Sequence, residues 1–556
     1  MKRFILLMAF VAGTLSIVSP SFSNEASAQT FRNPIINADV PDIALCHADG
    51  YYYMVSTTMH LMPGCPVMRS KDMIHWETVS YVYDRIEDGD RYDLKDGKTV
   101  YGQGQWASTI RHHNGKFYVW FTANGAPGKG FIFSADKAEG PWKLIARPKH
   151  HHDASLFFDT DGKAYLFHGS GGCSVVQLKD DLSDVDPNGI NQRIIFNDPD
   201  ERGGLLEGSQ VFKHKGKYYV CMISMVWGVP GRVRREVCYR SDNILGPYEK
   251  HIVLETPFEE YGGVGQGCIL NGNDEDDNDE SNWWAMIFQD RGGIGRVPCA
   301  MRVTWVDGWP MCGELNAGNY EKISPKSYHI PNDTSKDFED WTGIVGSDEF
   351  NGNKLSLLWQ WNHNPINKGW AIKNGNLRLT TARLANSIFD APNTLTQRMT
   401  APACTGEICL NISGMKSGDR AGLAGFNGDS GVLTISKDGK KVTLSLTEEH
   451  MRLKRGEKVI DHIDKKELAS VDITSSLKKN RGRLYLRVHG DFLHQADLCT
   501  FAYSLDGKEW KEIGTAVKTP FDYTRFFMGT KFAIFNYATK SLGGHVDVDY
   551  FHYDKK

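Results

Sequence analysis

His47-Ala48-Asp49-Gly50-Tyr51-Tyr52-Tyr53-Met54 joins a polar, glycine-containing turn to an aromatic run, and the same phrase returns downstream. It reads His113-Asn114-Gly115-Lys116-Phe117-Tyr118-Val119-Trp120, then Thr160-Asp161-Gly162-Lys163-Ala164-Tyr165-Leu166-Phe167, then His214-Lys215-Gly216-Lys217-Tyr218-Tyr219-Val220. A degenerate copy is Ser281-Asn282-Trp283-Trp284-Ala285-Met286-Ile287-Phe288. Glycine supplies the turn and an aromatic run suits a pleated, buried surface, so each copy predicts a tight hairpin. The four hairpin glycines stand 65, 47 and 54 residues apart. A second phrase trails the hairpins: Ser70-Lys71-Asp72 before Trp76, Ser134-Ala135-Asp136 before Trp142, and Ser241-Asp242 before Tyr248. Repeats of about 50 residues with four strands each are the mark of a β-propeller. Five units fit residues 29–325.

Beyond this array the phrases vanish. Pro331 to Asp337 is polar and reads as part of a linker, 326–344. Residues 345–556 carry alternating or apolar runs, such as Val442 to Leu446, Leu484 to Val488 and Lys531 to Tyr537. Period-two alternation with Gly and Asp turns predicts an antiparallel β-sandwich. The whole chain therefore reads as all-β, a five-bladed β-propeller followed by a sandwich. A length of 556 residues suits two domains, since single cores stop growing near ~250–300 residues.

At the amino end, Lys2 and Arg3 precede an apolar run from Phe4 to Val18, and Ala26-Ser27-Ala28 follows. That order predicts a secretory signal peptide over 1–28 and an exported protein, periplasmic or secreted. No later segment is apolar enough to span a bilayer. The net charge of −4 and the lack of a basic run exclude a general nucleic-acid partner. The eleven cysteines form no C-x-x-C pair, and those such as Cys221 and Cys238 sit in apolar runs as small buried hydrophobes. Asp274 to Glu280 has the early spacing of a calcium loop but carries Asp279 and Ala285 where Gly and Glu are needed, so it reads as a solvated insertion. The adjacent His150, His151 and His152 cannot all face one metal ion from a strand, although one of them can face a mouth beside Asp153.

Counting back from the hairpin glycines locates the start of each innermost strand. Nine residues before Gly115, Gly162 and Gly216 stand Trp106, Asp153 and Glu207; eight before Gly50 stands Asp42. A propeller gathers equivalent strand ends at one mouth of its axis, so three carboxylates converge there. Glycoside hydrolysis needs such a set: one carboxylic acid to protonate the leaving oxygen and one carboxylate to activate water or attack carbon. Crowding pushes their pKa values apart. Trp106 at the same phase reads equally as axial packing or as a platform for a sugar ring.

These residues resemble glycoside hydrolase family 43. Asn33 to Asp42 is similar to the family's opening motif, Asp153 to Gly162 to its second acidic segment, and Glu207-Gly208-Ser209-Gln210-Val211-Phe212 to its third. Ser56 to Gly64, Ala285 to Gly292 and Val303 to Pro310 resemble the branch of β-xylosidases and α-L-arabinofuranosidases. Asp348 to Gly352, Thr394 to Arg398 and Asp547 to Phe551 resemble that branch's C-terminal domain, which implies a concanavalin-like sandwich. The resemblance implies Asp42 as general base, Glu207 as general acid and Asp153 as the residue that tunes the acid's pKa and orientation; like-charge repulsion from Asp153 is expected to hold Glu207 protonated. It implies Arg296 as a contact to the terminal sugar's hydroxyls. The family often has His before the Gln-Gly of blade 5; here Gly265 precedes Gln266, which stays a candidate sugar contact.

The expected activity is release of terminal α-L-arabinofuranosyl or β-D-xylosyl units from plant cell-wall oligosaccharides, with inversion of configuration. An endo-arabinanase or a non-catalytic glycan binder are the alternatives. The substrate is an oligo- or polysaccharide, no cofactor is required, a structural calcium ion is left open, and metal ligands are unassigned. Phe526 and Phe527 are expected to reach the mouth from the sandwich and wall one side of the pocket.

Overall fold

A computed structural model describes residues 29–125, 128–196, 204–225, 234–255, 257–272, 278–316, 319–324, 328–330 and 343–555. The expected signal peptide, most of the expected linker and residues 274–277 of the acidic run lie outside them.

Five four-stranded antiparallel sheets follow one another along the chain. Their innermost strands are Ala44–Ala48, Gly104–His113, Ser155–Phe158, Leu205–His214 and Gly267–Asn271. Each touches the innermost strand of the next blade, and the fifth returns to the first, so the ring is closed. Tight hairpins form at three of the repeated phrases; at the third copy the turn is longer, between Phe158 and Ala164, and the connection before the degenerate copy includes residues outside those described. Asp49-Gly50, Asn114-Gly115 and Lys215-Gly216 each carry positive φ at both positions, the geometry whose twist matches the flanking strands. Gln29–Phe31 pairs with Tyr328–Ile330, bringing the two ends of the propeller segment together.

The carboxyl-terminal half stacks two large sheets. Strand Arg483–Asp491 shows how the sequence dictates this: Leu484, Leu486 and Val488 are fully buried while their neighbours are partly exposed. That period of two gives the strand one core face. All eleven cysteines of the chain are buried, with Cys221 and Cys238 directly opposite each other across blade 4. Among the described residues no helix is long and apolar enough to cross a membrane.

The sandwich is not tethered loosely. Leu61–Met62, from the segment between the second and third strands of blade 1, pairs with Gln360–Asn362 and becomes the edge strand of one sandwich sheet. Asp39, almost fully buried, accepts from the backbone N–H of Arg296 at 2.9 Å and of Gly529 at 2.8 Å, binding propeller and sandwich through one carboxylate. Arg398 donates to the Asp39 carbonyl at 3.0 Å. Phe526 is wholly buried against Tyr101 and His60 of the propeller and Phe426 of the sandwich. It is therefore a plug in the seam and no wall of the mouth, because its neighbour Phe527 takes the outward position.

Candidate active site at one mouth of the propeller axis

Five blades deliver five side chains to one mouth by two backbone devices. In blades 1, 3 and 5, Asp42 (φ 52°), Asp153 (φ 46°) and Gln266 (φ 72°) sit in the left-handed region just ahead of their strands. Such conformations are costly for non-glycine residues and cluster at functional sites. In blades 2 and 4 the equivalent residues lie within longer strands. There a β-bulge follows Gln105 and another follows Glu207, each with an extra residue on the inner strand. A bulge bends its strand and re-aims a side chain. The bulges place Trp106 and Glu207 in phase with the residues of the other blades.

Asp42 is buried and both of its oxygens accept hydrogen bonds, Oδ1 from the Arg296 guanidinium at 2.9 Å and Oδ2 from the Thr57 hydroxyl at 2.6 Å. The Arg296 guanidinium lies 4.6 Å from the centre of the Phe527 ring. Trp106 stands edge-on to both Phe527 and His152, with ring centres 5.7 Å and 6.0 Å away. Gln266 donates its N–H to Glu236 at 2.8 Å, and its side chain packs where a Cβ at Gly208 would stand, beside Glu207. Burial pushes the Glu236 carboxyl up to about 8. The sequence candidates Asp42, Trp106, Asp153, Glu207, Gln266, Arg296 and Phe527 thus share one mouth, and Phe526 does not.

His152 completes the group. Its Nε2 lies 3.2 Å from Glu207 Oε2 and 3.7 Å from Asp153 Oδ2, while the Ser170 hydroxyl donates to the same Glu207 oxygen at 2.8 Å. His151 turns the other way, against His168 and Trp120, and His150 meets Asn124. Burial alone would lower the His152 pKa, but the Asp153 carboxylate and the Glu207 hydrogen bond push it up to about 9. Burial lifts Asp153 to about 7, with Glu207 and Asp42 adding to the rise against the opposing charge of His152. Burial would also lift Glu207, yet the His152 and Ser170 hydrogen bonds hold it below its ordinary value. The expectation that Asp153 keeps Glu207 protonated by repulsion is therefore corrected for the free protein. The imidazole, absent from that reasoning, draws the charge onto Glu207 and keeps the proton beside it.

This arrangement stores a proton up to about pH 9 within hydrogen-bond reach of Glu207. His152→Gln removes the store, leaving Glu207 to hold the proton unaided. The basic limb of the kcat/KM profile moves to lower pH and kcat falls at least about tenfold. An unchanged limb would separate His152 from proton supply.

Among the described residues, His152, Asp153 and Glu207 form the one cluster offering three ligand atoms within 4.8 Å of one another. An imidazole that ligated a metal there would have to give up its proton. Thr57, His152 and Ser170 were not singled out as site residues by sequence. Ser170 sits in Gly169-Ser170-Gly171-Gly172, which carries no chemical signature, and His152 is one of three adjacent histidines whose facing only the backbone decides.

The profile of Glycosyl hydrolases family 43 matches residues 31–310, and that of the Beta xylosidase C-terminal Concanavalin A-like domain matches residues 347–554. A protein of Formosa agariphila named Beta-xylosidase is 28% identical, over 94% of this chain and 90% of that one. A Bacteroides ovatus protein named Non-reducing end alpha-L-arabinofuranosidase BoGH43B is also 28% identical, over 77% of this chain and 80% of its own. Among solved structures, a bifunctional GH43-CE protein of Bacteroides eggerthii superposes with a TM-score of 0.82 at 36% identity; it covers 95% of this chain, which spans 64% of it. A GH43 glycoside hydrolase engineered to display endo-xylanase and exo-arabinofuranosidase activity superposes at 0.83 with 27% identity, over 95% and 99% of the two chains.

Proposed function

The chain belongs to glycosyl hydrolases family 43 and is a glycosidase, and from that premise we propose that it is exported and removes terminal α-L-arabinofuranosyl or β-D-xylosyl units from plant cell-wall oligosaccharides, with inversion. The observation that carries this reading is the meeting of Asp42, Asp153 and Glu207 at one mouth whose side is closed by Phe527 of the sandwich. A mouth walled on one side suits a chain end better than the middle of a polymer. The leader composition of residues 1–28 supports export.

In this mechanism Glu207 protonates the departing oxygen, drawing on the proton held with His152. Sugar binding displaces water, and a drier site favours the neutral pair of Glu207 and His152 over the charged one. Asp42, fixed by Arg296 and Thr57, takes a proton from the attacking water. Asp153 adds negative charge that favours proton retention nearby. Asp42 and Glu207 come from blades 1 and 4, which are not adjacent, and Asp42 is not part of the tight cluster around His152. That separation suits a water between base and sugar, as inversion requires, with carboxyl groups ~6.5–9.5 Å apart.

Aryl α-L-arabinofuranoside and aryl β-D-xyloside are the first substrates to assay; hydrolysis of neither overturns the pentose reading. Linear arabinan distinguishes the endo alternative, which releases oligomers instead of single sugars. Proton NMR of the first-formed sugar should show the anomer opposite to the substrate's. A retained anomer, or a glycosyl ester trapped on Asp42, would overturn inversion.

A further inference from the structure

Asp39 stands three residues before Asp42, and two chains of contact lead from it to the Arg296 guanidinium. The first stays within the propeller. Asp39 Oδ1 accepts the Arg296 N–H at 2.9 Å, and the next residue, Val40, donates its own N–H to the Arg296 carbonyl at 2.9 Å. Residues 39–42 therefore hold the Arg296 backbone on both sides and receive its guanidinium on Asp42 Oδ1 at 2.9 Å. The second path crosses the seam. Asp39 Oδ2 accepts the Gly529 N–H at 2.8 Å, and two residues earlier Phe527 sets its carbonyl 3.4 Å from Arg296 Nη2. Both approaches need glycine beside the carboxylate. A Cβ on Gly295 would overlap Asp39 Oδ1, and one on Gly529 would overlap the Ile294 carbonyl oxygen and press on Asp39 Cβ.

Asp39 is only 1% exposed and lies behind the mouth. A carboxylate accepts at both oxygens at once, which an amide of the same shape cannot do. Bracing of this kind matters at a base, since a misplacement of ~1 Å costs ~10²-fold in rate. We propose that Asp39 is a positioning residue: it sets Asp42 through Arg296 and makes that setting conditional on the docked sandwich. The proposal rests on Asp42 acting as the base. Arg296 is braced from both sides only when Gly529 is in place, so the sandwich completes the base side of the site as well as walling it.

The test uses the full chain, with rates taken per folded molecule well below the melting temperature. Asp39→Asn keeps the shape but turns an NH2 toward one of the two N–H groups. kcat/KM should fall ~10–10²-fold, by the same factor on alkyl and aryl glycosides, because no leaving group repairs a defect on the base side. Tm should fall too, since Lys531 Nζ, 4.0 Å from Oδ2, loses that carboxylate. In an Arg296→Ala background the substitution should cost no further rate, as expected of a residue that acts through that arginine. Gly529→Ala pushes on the carboxylate from the sandwich side and should give the same kinetic pattern; it carries the test if Asp39→Asn does not fold. Gln360→Ala, which cuts a different seam bond, to the Pro63 carbonyl, should lower Tm alone. Normal kinetics in Asp39→Asn or Gly529→Ala, a further loss in the Arg296→Ala background, a loss confined to alkyl glycosides, or an equal loss in Gln360→Ala would each overturn the latch. Asp42→Ala run alongside separates the two readings. Wild-type turnover there removes the base itself, whereas a loss there with normal Asp39→Asn kinetics removes only the latch.

Discussion

Glu207→Ala, Asp42→Ala and Asp153→Ala each lower kcat on an alkyl glycoside by ~10²–10⁴ while the protein stays folded. The three losses differ in kind, which allows the roles to be told apart. Glu207→Ala removes the acid, so an aryl glycoside with an acidic phenol, which leaves without protonation, recovers much of the rate. Asp42→Ala removes the base and strands the Arg296 guanidinium without its 2.9 Å partner, and no leaving group repairs that. Asp153→Ala removes a carboxyl lifted to about 7 and should change the pH profile as well as the rate. Steady-state kinetics on alkyl and aryl substrates, with thermal melts as the control for folding, decide all three. Wild-type turnover in any variant takes that residue out of the mechanism.

Deleting residues 345–556 leaves no folded, active propeller. The seam explains why. Tyr101 and His60 lose the ring of Phe526 that packs on both, and Asp39 loses the Gly529 N–H that caps one of its oxygens, so apolar propeller surface built for burial faces water. The whole protein should accordingly melt in one transition. Phe526→Ala tests the seam more gently: a fully buried phenylalanine cut to alanine costs ~3–5 kcal/mol, lowering Tm with the catalytic side chains untouched. A soluble, active fragment 29–344, or two separate melting transitions, would refute this account.

The blades were legible because hairpin chemistry is local: Asn114-Gly115 specifies a turn whatever surrounds it. Three acids and Trp106 could be found from that phase, although the count from Gly50 was one shorter than the others. The structure gives the reason: a bulge adds a residue to the inner strands of blades 2 and 4, blade 3 has a longer turn between Phe158 and Ala164, and blade 1 has neither. What stayed hidden depends on which way a side chain turns at a junction. Phe526 and Phe527 are chemically alike in sequence, yet the left-handed φ of 59° at Phe527 sends one ring inward and the other to the mouth. His152 was hidden for the same reason among its two neighbours, and with it the proton's resting place.

The pairing of Leu61–Met62 with Gln360–Asn362 also bears on how this protein avoids sticking to itself. A long sheet with a bare margin is a template for fibre growth, each new molecule adding its own strand. Two residues lent by the propeller occupy that margin, and the Gln360 amide donates to the Pro63 carbonyl just past them, where proline has no N–H to offer an incoming strand. The catalytic half thus serves as a stopper for its companion. Any chimera that transplants the sandwich without this strand should be prone to polymerise, even when each parent is well behaved.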